Sequence, residues 1–266
     1  MATPADATIT SRRSFKTSDG VQLSYLEAGA EHAGNGAPTL ALVTGWCMPA
    51  AIWRSQLVAF GARYHTLAVD PRGQGESEVP AAGYTAERRA TDLKEFLEPH
   101  SGVLLIGWSL GAIESLQYLY MFGADRLAGL VLVDSSVGEE PAPAAGGKFK
   151  AQLRQNRDKA LSEFVRAIFA KPRSAKEYAE LERSAKRMAL DDSLALLDYP
   201  FERSHWRTIA RGFKKPLLYA VTSRFEAQAL QLKKNRPATR VEIFRRAGHA
   251  LFADEPARFN ALVENF

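Results

Sequence analysis

A serine between two glycines, in Gly107-Trp108-Ser109-Leu110-Gly111, is where residue type and spacing first suggest covalent chemistry. A serine hydroxyl is a poor nucleophile at neutral pH. It must stand clear of its own backbone and have a base within hydrogen-bond reach. The spacing meets the first need. Glycines two residues before and after the serine remove side chains that would collide in a tight strand-to-helix turn. A helix starting there aims its unpaired N–H groups at the reacting centre, so the Leu110 backbone N–H is placed to donate to a developing oxyanion. Context adds specificity, because the apolar run Val103–Ile106 precedes the motif and a helical run, Ala112–Met121, follows it. Ser109 is the expected nucleophile.

The elements that would position this serine read as alternating strands and helices. Phe15–Thr17 and Val21–Glu27 are short strand-like runs around the turn sequence Ser18-Asp19-Gly20. Apolar runs typical of buried parallel strands follow at Thr39–Thr44, His65–Val69, Val103–Ile106 and Leu127–Val133. A helix is expected over Thr85–Leu97, ending at Glu98-Pro99. After Asp134 the pattern changes to a Pro/Ala/Gly-rich linker, Glu139–Gly147, and then a stretch from Lys148 to about Arg207 that is helical in composition. Strands resume at Leu217–Val221 and Arg240–Phe244, and Pro256–Phe266 closes the chain as a helix. The expected fold class is α/β, with a mostly parallel central sheet flanked by helices. Residues 1–136 and 209–266 form the expected core, and 137–208 a helical lid insertion.

Several segments together resemble the α/β-hydrolase family. Besides the serine motif, Asp70-Pro71-Arg72-Gly73-Gln74-Gly75-Glu76-Ser77 is similar to that family's D-x-R-G-x-G-x-S turn. Gly248-His249-Ala250-Leu251-Phe252 is similar to its C-terminal histidine loop. Thr44-Gly45-Trp46-Cys47 stands where the family keeps its second oxyanion donor, although Thr44 replaces the usual His. The resemblance implies that His249 is the general base, that the Trp46 backbone N–H is the second donor beside Leu110, and that the helical insertion is the variable lid. Trp46 and Trp108 are candidate walls of an acyl pocket. The third triad member departs from the pattern: Phe225 stands about where an Asp is usual, and no Asp occurs from Tyr199 to Ala253. Asp134, ending an earlier strand, is the first candidate, Glu226 the second, and absence of an acid the third. Asp70 and Arg72 are expected to form a structural turn and ion pair, and Cys47 to be a small buried residue.

A serine in the nucleophile position excludes the carboxylate chemistries of dehalogenases and epoxide hydrolases. The expected reaction is cleavage of carboxylic esters through an acyl-enzyme. The Gly-Trp-Ser-Leu-Gly motif is similar to pimeloyl-acyl-carrier-protein methyl ester esterases, whose substrate rides on a very acidic carrier. Charge fits this reading. The chain has 35 Lys+Arg and 30 Asp+Glu, and residues 141–208 hold 14 and 9 of them, so the other residues are balanced at 21 each. Lys148, Lys150, Arg154, Arg157 and Lys159 would attract an acidic acyl carrier protein to the lid. The alternatives are a C–C or lactone hydrolase of the same fold, or a non-catalytic ligand-binding protein built on it. No metal-ligand spacing, phosphate-cradling glycine loop or nucleic-acid motif is present, so no metal, cofactor or nucleic-acid partner is expected. The 266 residues include one cysteine, no apolar run long enough to span a bilayer, and no apolar signal segment in Met1–Ser14. These point to a cytoplasmic protein with no membrane partner.

Overall fold

The computed structural model describes residues 10–142 and 147–266. At one edge of the sheet, β1 (Ser11–Lys16) and β2 (Gln22–Ala28) pair antiparallel around Gly20, whose φ of +87° suits glycine. The strand β1 starts earlier than expected. Its first residues, Ser11-Arg12-Arg13-Ser14, lie on an exposed edge and carry no apolar signal. Six further strands follow: β3 (Thr39–Val43), β4 (Thr66–Asp70), β5 (Val103–Trp108), β6 (Leu127–Val133), β7 (Leu217–Thr222) and β8 (Thr239–Phe244). The sheet order is β1-β2-β4-β3-β5-β6-β7-β8, antiparallel through β2 and β4 and parallel from there on.

The central strands are buried along their whole length because helices cover both faces. Leu40, Leu42, Ile106, Val131 and Leu218 point to one face, where Leu57 and Phe60 of α1 (Arg54–Gly61), Phe252 of α10 (Leu251–Asp254) and Phe259 of α11 (Pro256–Glu264) pack. Their sequence neighbours Ala41, Val43, Leu105, Leu130 and Tyr219 point to the other. There they meet α2 (Ala86–Leu97), α3 (Leu110–Phe122), α8 (Arg203–Gly212) and α9 (Glu226–Asn235). Thr85 caps α2 by accepting the Arg88 backbone N–H, which fixes that helix start where the sequence placed it.

Between β6 and β7 lie α4 (Gly147–Gln155), α5 (Arg157–Ala167), α6 (Ala175–Ala185), α7 (Leu190–Ala195) and then α8. The first four pack on one another, with α4 against α5 and α7 and α5 against α6. Helix α8 instead packs on α3 and α9, so the chain has rejoined the sheet by Arg203, ahead of residue 209. Residues 143–146 of the linker lie outside the described residues. Its first part is anchored, with Glu139 paired to Arg211 and the Pro141 carbonyl accepting from Gln228. Among the described residues no helix is long and apolar enough to cross a membrane.

The turn after β4 is built differently from the expected Asp70–Arg72 pair. Asp70 accepts the backbone N–H groups of Ala50 (2.6 Å) and Glu76 (3.1 Å) and pairs with Arg12. Arg72 instead forks onto Asp92 of α2 at 2.6 and 2.7 Å. The two side chains are thus committed to different partners. Gly75, at φ +51°, gives the Asp70 carboxylate its room, since a Cβ there would fall 1.8 Å from Oδ1.

Both glycines of the serine motif are required by packing. A Cβ on Gly107 would lie 2.4 Å from the Gly111 carbonyl oxygen, and one on Gly111 would lie 2.6 Å from that of Val43 and 2.7 Å from that of Thr44. Helix α3 therefore crosses the ends of β3 and β5 at backbone contact. Gly111→Ala is expected to lower stability by about 2–3 kcal/mol through this overpacking. Gly212→Ala, in open space at the end of α8, should stay within about 0.5 kcal/mol of the parent. Urea midpoints compare the two, and equal midpoints would mean that the α3 crossing has slack.

Candidate active site

The parallel strands end along one edge of the sheet, where ligand-contacting groups of α/β proteins gather. Three neighbouring strands, β3, β5 and β6, are each followed there by a non-glycine residue with positive φ: Cys47 (58°), Ser109 (55°) and Asp134 (42°). They are the only non-glycine residues of that kind among the described residues. The Ser109 backbone N–H donates to the Val133 carbonyl and that of Asp134 to the Ala220 carbonyl, each at 2.9 Å. The serine and aspartate turns are thereby hung from the end of the next strand.

These turns bring Ser109, His249 and Asp134 together. Asp134 Oδ2 lies 2.7 Å from His249 Nδ1, and His249 Nε2 lies 2.8 Å from Ser109 Oγ. With Nδ1–H donating to the carboxylate, Nε2 carries the lone pair that accepts the serine proton. Asp134 is buried, and its other oxygen accepts from the Thr222 backbone N–H (2.7 Å) and hydroxyl (2.8 Å). Those two donors hold the carboxylate with its free oxygen toward the imidazole. Glu226 is elsewhere. It opens α9 and pairs with Arg245, an exposed arginine. Phe225 is buried in the apolar layer against α9.

The histidine loop is held from three sides. The Trp108 indole N–H donates to the His249 carbonyl at 2.8 Å, and its ring lies 5.2 Å from the imidazole. Asp254 Oδ2 accepts the Gly248 N–H at 2.8 Å. The Ala250 N–H donates to the Ile168 carbonyl at 2.7 Å, just beyond α5. A Cβ on Gly248 would lie 2.6 Å from the Ala170 nitrogen, so that segment rests directly on the loop.

The loop after β3 lies against the serine, and a Cβ on Gly45 would be 3.0 Å from Ser109 Cβ. Neither the Trp46 nor the Leu110 backbone N–H donates to another group among the described residues. Thr44, standing at the position of the resemblance's His, is buried and its hydroxyl has no partner there either. Trp46 and Trp108, the expected walls of an acyl pocket, also serve the loops around the serine. Both are buried, and each indole N–H is committed to a carbonyl, that of Ser193 for Trp46 and that of His249 for Trp108. Trp46 also meets Phe149 and Phe164 edge-on at 5.4 and 5.3 Å. Both tryptophans therefore brace loops. Cys47 is fully buried, and desolvation pushes its thiol well above the ordinary range, so it is no competing nucleophile. Among the described residues no cluster of three or more His, Cys, Asp or Glu is arranged to hold a metal ion.

Thr222, Asp254 and Gln74 were not singled out as site residues by the sequence. Thr222 and Asp254 act across 88 and 6 positions with no motif to mark them. Gln74 lay in view inside the D-x-R-G-x-G-x-S turn, but its target is the loop after β3, 29 residues away.

Residues 40–262 match the model of the alpha/beta hydrolase family. The pimeloyl-[acyl-carrier protein] methyl ester esterase of Aeromonas hydrophila is 26% identical over 258 residues, covering 91% of this chain and 99% of that protein. A bromoperoxidase from Bacillus anthracis superposes with a TM-score of 0.84 at 22% identity, over 96% of this chain and 99% of its own. An esterase from Rhodococcus sp. ECU1013 gives 0.81 at 23%, over 96% and 98%. At these identities the solved structures speak to the fold alone. With most of its length matched by the family model and the sheet order described above, the chain belongs to the alpha/beta hydrolase family.

Proposed function

We propose that this protein is a serine hydrolase of carboxylic esters working through an acyl-enzyme. The observation that carries the reading is the unbroken line of hydrogen bonds from Asp134 through His249 to Ser109 Oγ. In this reading His249 Nε2 takes the Ser109 proton as Oγ bonds to the ester carbonyl carbon. The carbonyl oxygen becomes an oxyanion facing the backbone N–H groups of Trp46 and Leu110. Asp134 holds the imidazole in its tautomer and offsets its new positive charge. As the tetrahedral intermediate collapses, the C–O bond to the alcohol breaks and the imidazolium gives that alcohol its proton. Water then attacks the acyl-enzyme by the same route, releasing the acid and regenerating Ser109.

For the substrate, we propose an acyl ester presented by an acidic acyl carrier protein, as the name of the Aeromonas relative suggests. In this reading α4 to α7 supply the lid over the sheet edge, while α8 packs on α3 and α9. Part of the lid's positive charge is used internally, because Lys150 pairs with Asp198, Lys159 lies 3.9 Å from Glu163, and Arg157 donates to the Met188 carbonyl. Lys148 and Arg154 on α4 are exposed and have no carboxylate partner among the described residues, so they are the charges offered to a carrier. A reducing, cytoplasmic setting suits the lone buried cysteine.

Ser109→Ala is expected to cut hydrolysis of p-nitrophenyl butyrate by about 10⁴-fold or more, and Asp134→Asn by about 10³–10⁴-fold, by analogy with other triads. Glu226→Gln should stay within about twofold, as a surface change would. A larger loss in Glu226→Gln than in Asp134→Asn would overturn the assignment of the acid, and full activity in Ser109→Ala would overturn the nucleophile. The carrier reading is checked by inhibition with a purified acyl carrier protein. Inhibition should be strong at low ionic strength, fade by about 0.5 M salt, and be absent in the Lys148→Glu/Arg154→Glu protein. Salt-independent inhibition, or none, would reject it.

A further inference from the structure

The loop that carries the Trp46 N–H is gripped by one side chain. Gln74 is fully buried, and its amide nitrogen donates to the carbonyls of Gly45 (3.0 Å) and Met48 (2.9 Å). Those two residues are the ends of a tight turn, closed by a Met48 N–H to Gly45 carbonyl bond of 3.2 Å. Within the turn Cys47 sits at φ +58°, a conformation that an L-residue rarely adopts unaided. The carbonyl of Cys47 accepts from Ser184 of α6 at 3.4 Å. Because the Gly45 carbonyl and the Trp46 N–H are opposite sides of one trans peptide, tying that carbonyl to Gln74 turns the N–H away from Gln74.

The grip continues inward. Both terminal nitrogens of Arg89 on α2 lie 3.4 Å from Gln74 Oε1, which leaves only the amide nitrogen to face the loop. Arg89 pairs with Glu114 on α3 at 2.9 Å, and both are buried. Glu114 lies one turn beyond Leu110, the source of the other oxyanion donor, and it also accepts from Tyr199 (3.1 Å) in the segment between α7 and α8. Such a buried ion pair is weak evidence for stability, because apolar replacements of the same shape are often as stable. Geometry explains its presence better, since through Gln74 it ties α3, which carries the Leu110 N–H, to the loop that carries the Trp46 N–H.

We propose that Gln74 is a positioning residue of the ester hydrolase, holding the Trp46 N–H at the oxyanion through the Gly45–Met48 turn, with Arg89 and Glu114 fixing Gln74 relative to α3. This rests on the reading of Ser109 as an acylating nucleophile. A donor aimed at the oxyanion matters more in the transition state than in the ground state, so its misplacement lowers kcat and leaves KM nearly alone.

The test uses Gln74→Met, which keeps the volume and removes the bonds, and Gln74→Glu, which keeps a partner for Arg89 but replaces the donor by an acceptor. Each folded variant should lose about 10–100-fold in kcat on p-nitrophenyl butyrate with KM within about twofold. Inhibition by a trifluoromethyl ketone, which forms a tetrahedral adduct at the serine, should weaken by the same factor as kcat/KM falls. Unchanged kcat in either folded variant would overturn the proposal, as would a loss confined to KM or an inhibitor constant that does not follow kcat/KM. If neither variant folds, Gln74 is a folding residue and the proposal fails. Ser109→Ala run alongside separates the two levels, because full activity there would sink the ester hydrolase reading itself.

Discussion

Three adjacent strands must each give up regular structure at the same edge, and that constraint governs the molecule. β3, β5 and β6 are followed by Cys47, Ser109 and Asp134, all in left-handed backbone that costs about 1–3 kcal/mol per non-glycine residue. Such conformations persist only where surroundings over-determine them. The means differ at each. Ser109 is held by the Val133 carbonyl and by the collision-free passage that Gly107 and Gly111 provide. Asp134 is held by the Ala220 carbonyl and by Thr222. Cys47 is held by side-chain bonds to its neighbours' carbonyls, from Gln74. The parallel register makes this workable, because it pairs Val43 with Gly107, Trp108 with Val133 and Val133 with Ala220, so the turns come level.

The helical segment between β6 and β7 is tied into the same edge. Asp254, fully buried, accepts the Gly248 N–H of the histidine loop and the Ala170 N–H beyond α5, and it pairs with Arg173. The Ile168 carbonyl takes the Ala250 N–H, and the Ser193 carbonyl takes the Trp46 indole. Both loops facing Ser109 thus hang partly from α5, α7 and their flanks. The imidazole and the Trp46 turn therefore both depend on where those helices sit.

The legible part of this architecture is the part written in local pattern. The buried parallel strands announce themselves as unbroken apolar runs because both faces are covered, and the serine turn does so because two backbones cannot cross without glycine. The exposed edge strand β1 carries no such signal, and the short helices α1 and α9 open without a side-chain cap. Composition does not mark the end of the helical insertion, for a related reason. Helix α8 contains Arg and Ala as α4, α5 and α6 do, yet its Trp206 and Ala210 pack in the layer beside α3. Composition reports that a segment is helical and says nothing of which surface receives it.

The acid is the sharpest instance, since spacing alone left Asp134 and Glu226 both open. What separates them is where neighbouring groups point. β7 ends at Thr222, and the chain then turns so that Phe225 fills the apolar layer under α9 and Glu226 faces Arg245. No carboxylate at the start of α9 is left to face the imidazole. β6 lies beside β7, and its end reaches the same space through Asp134, with Thr222 supplying the two donors that fix it. The end of the neighbouring strand can thus supply the carboxylate to His249, provided the strand between contributes donors instead of charge.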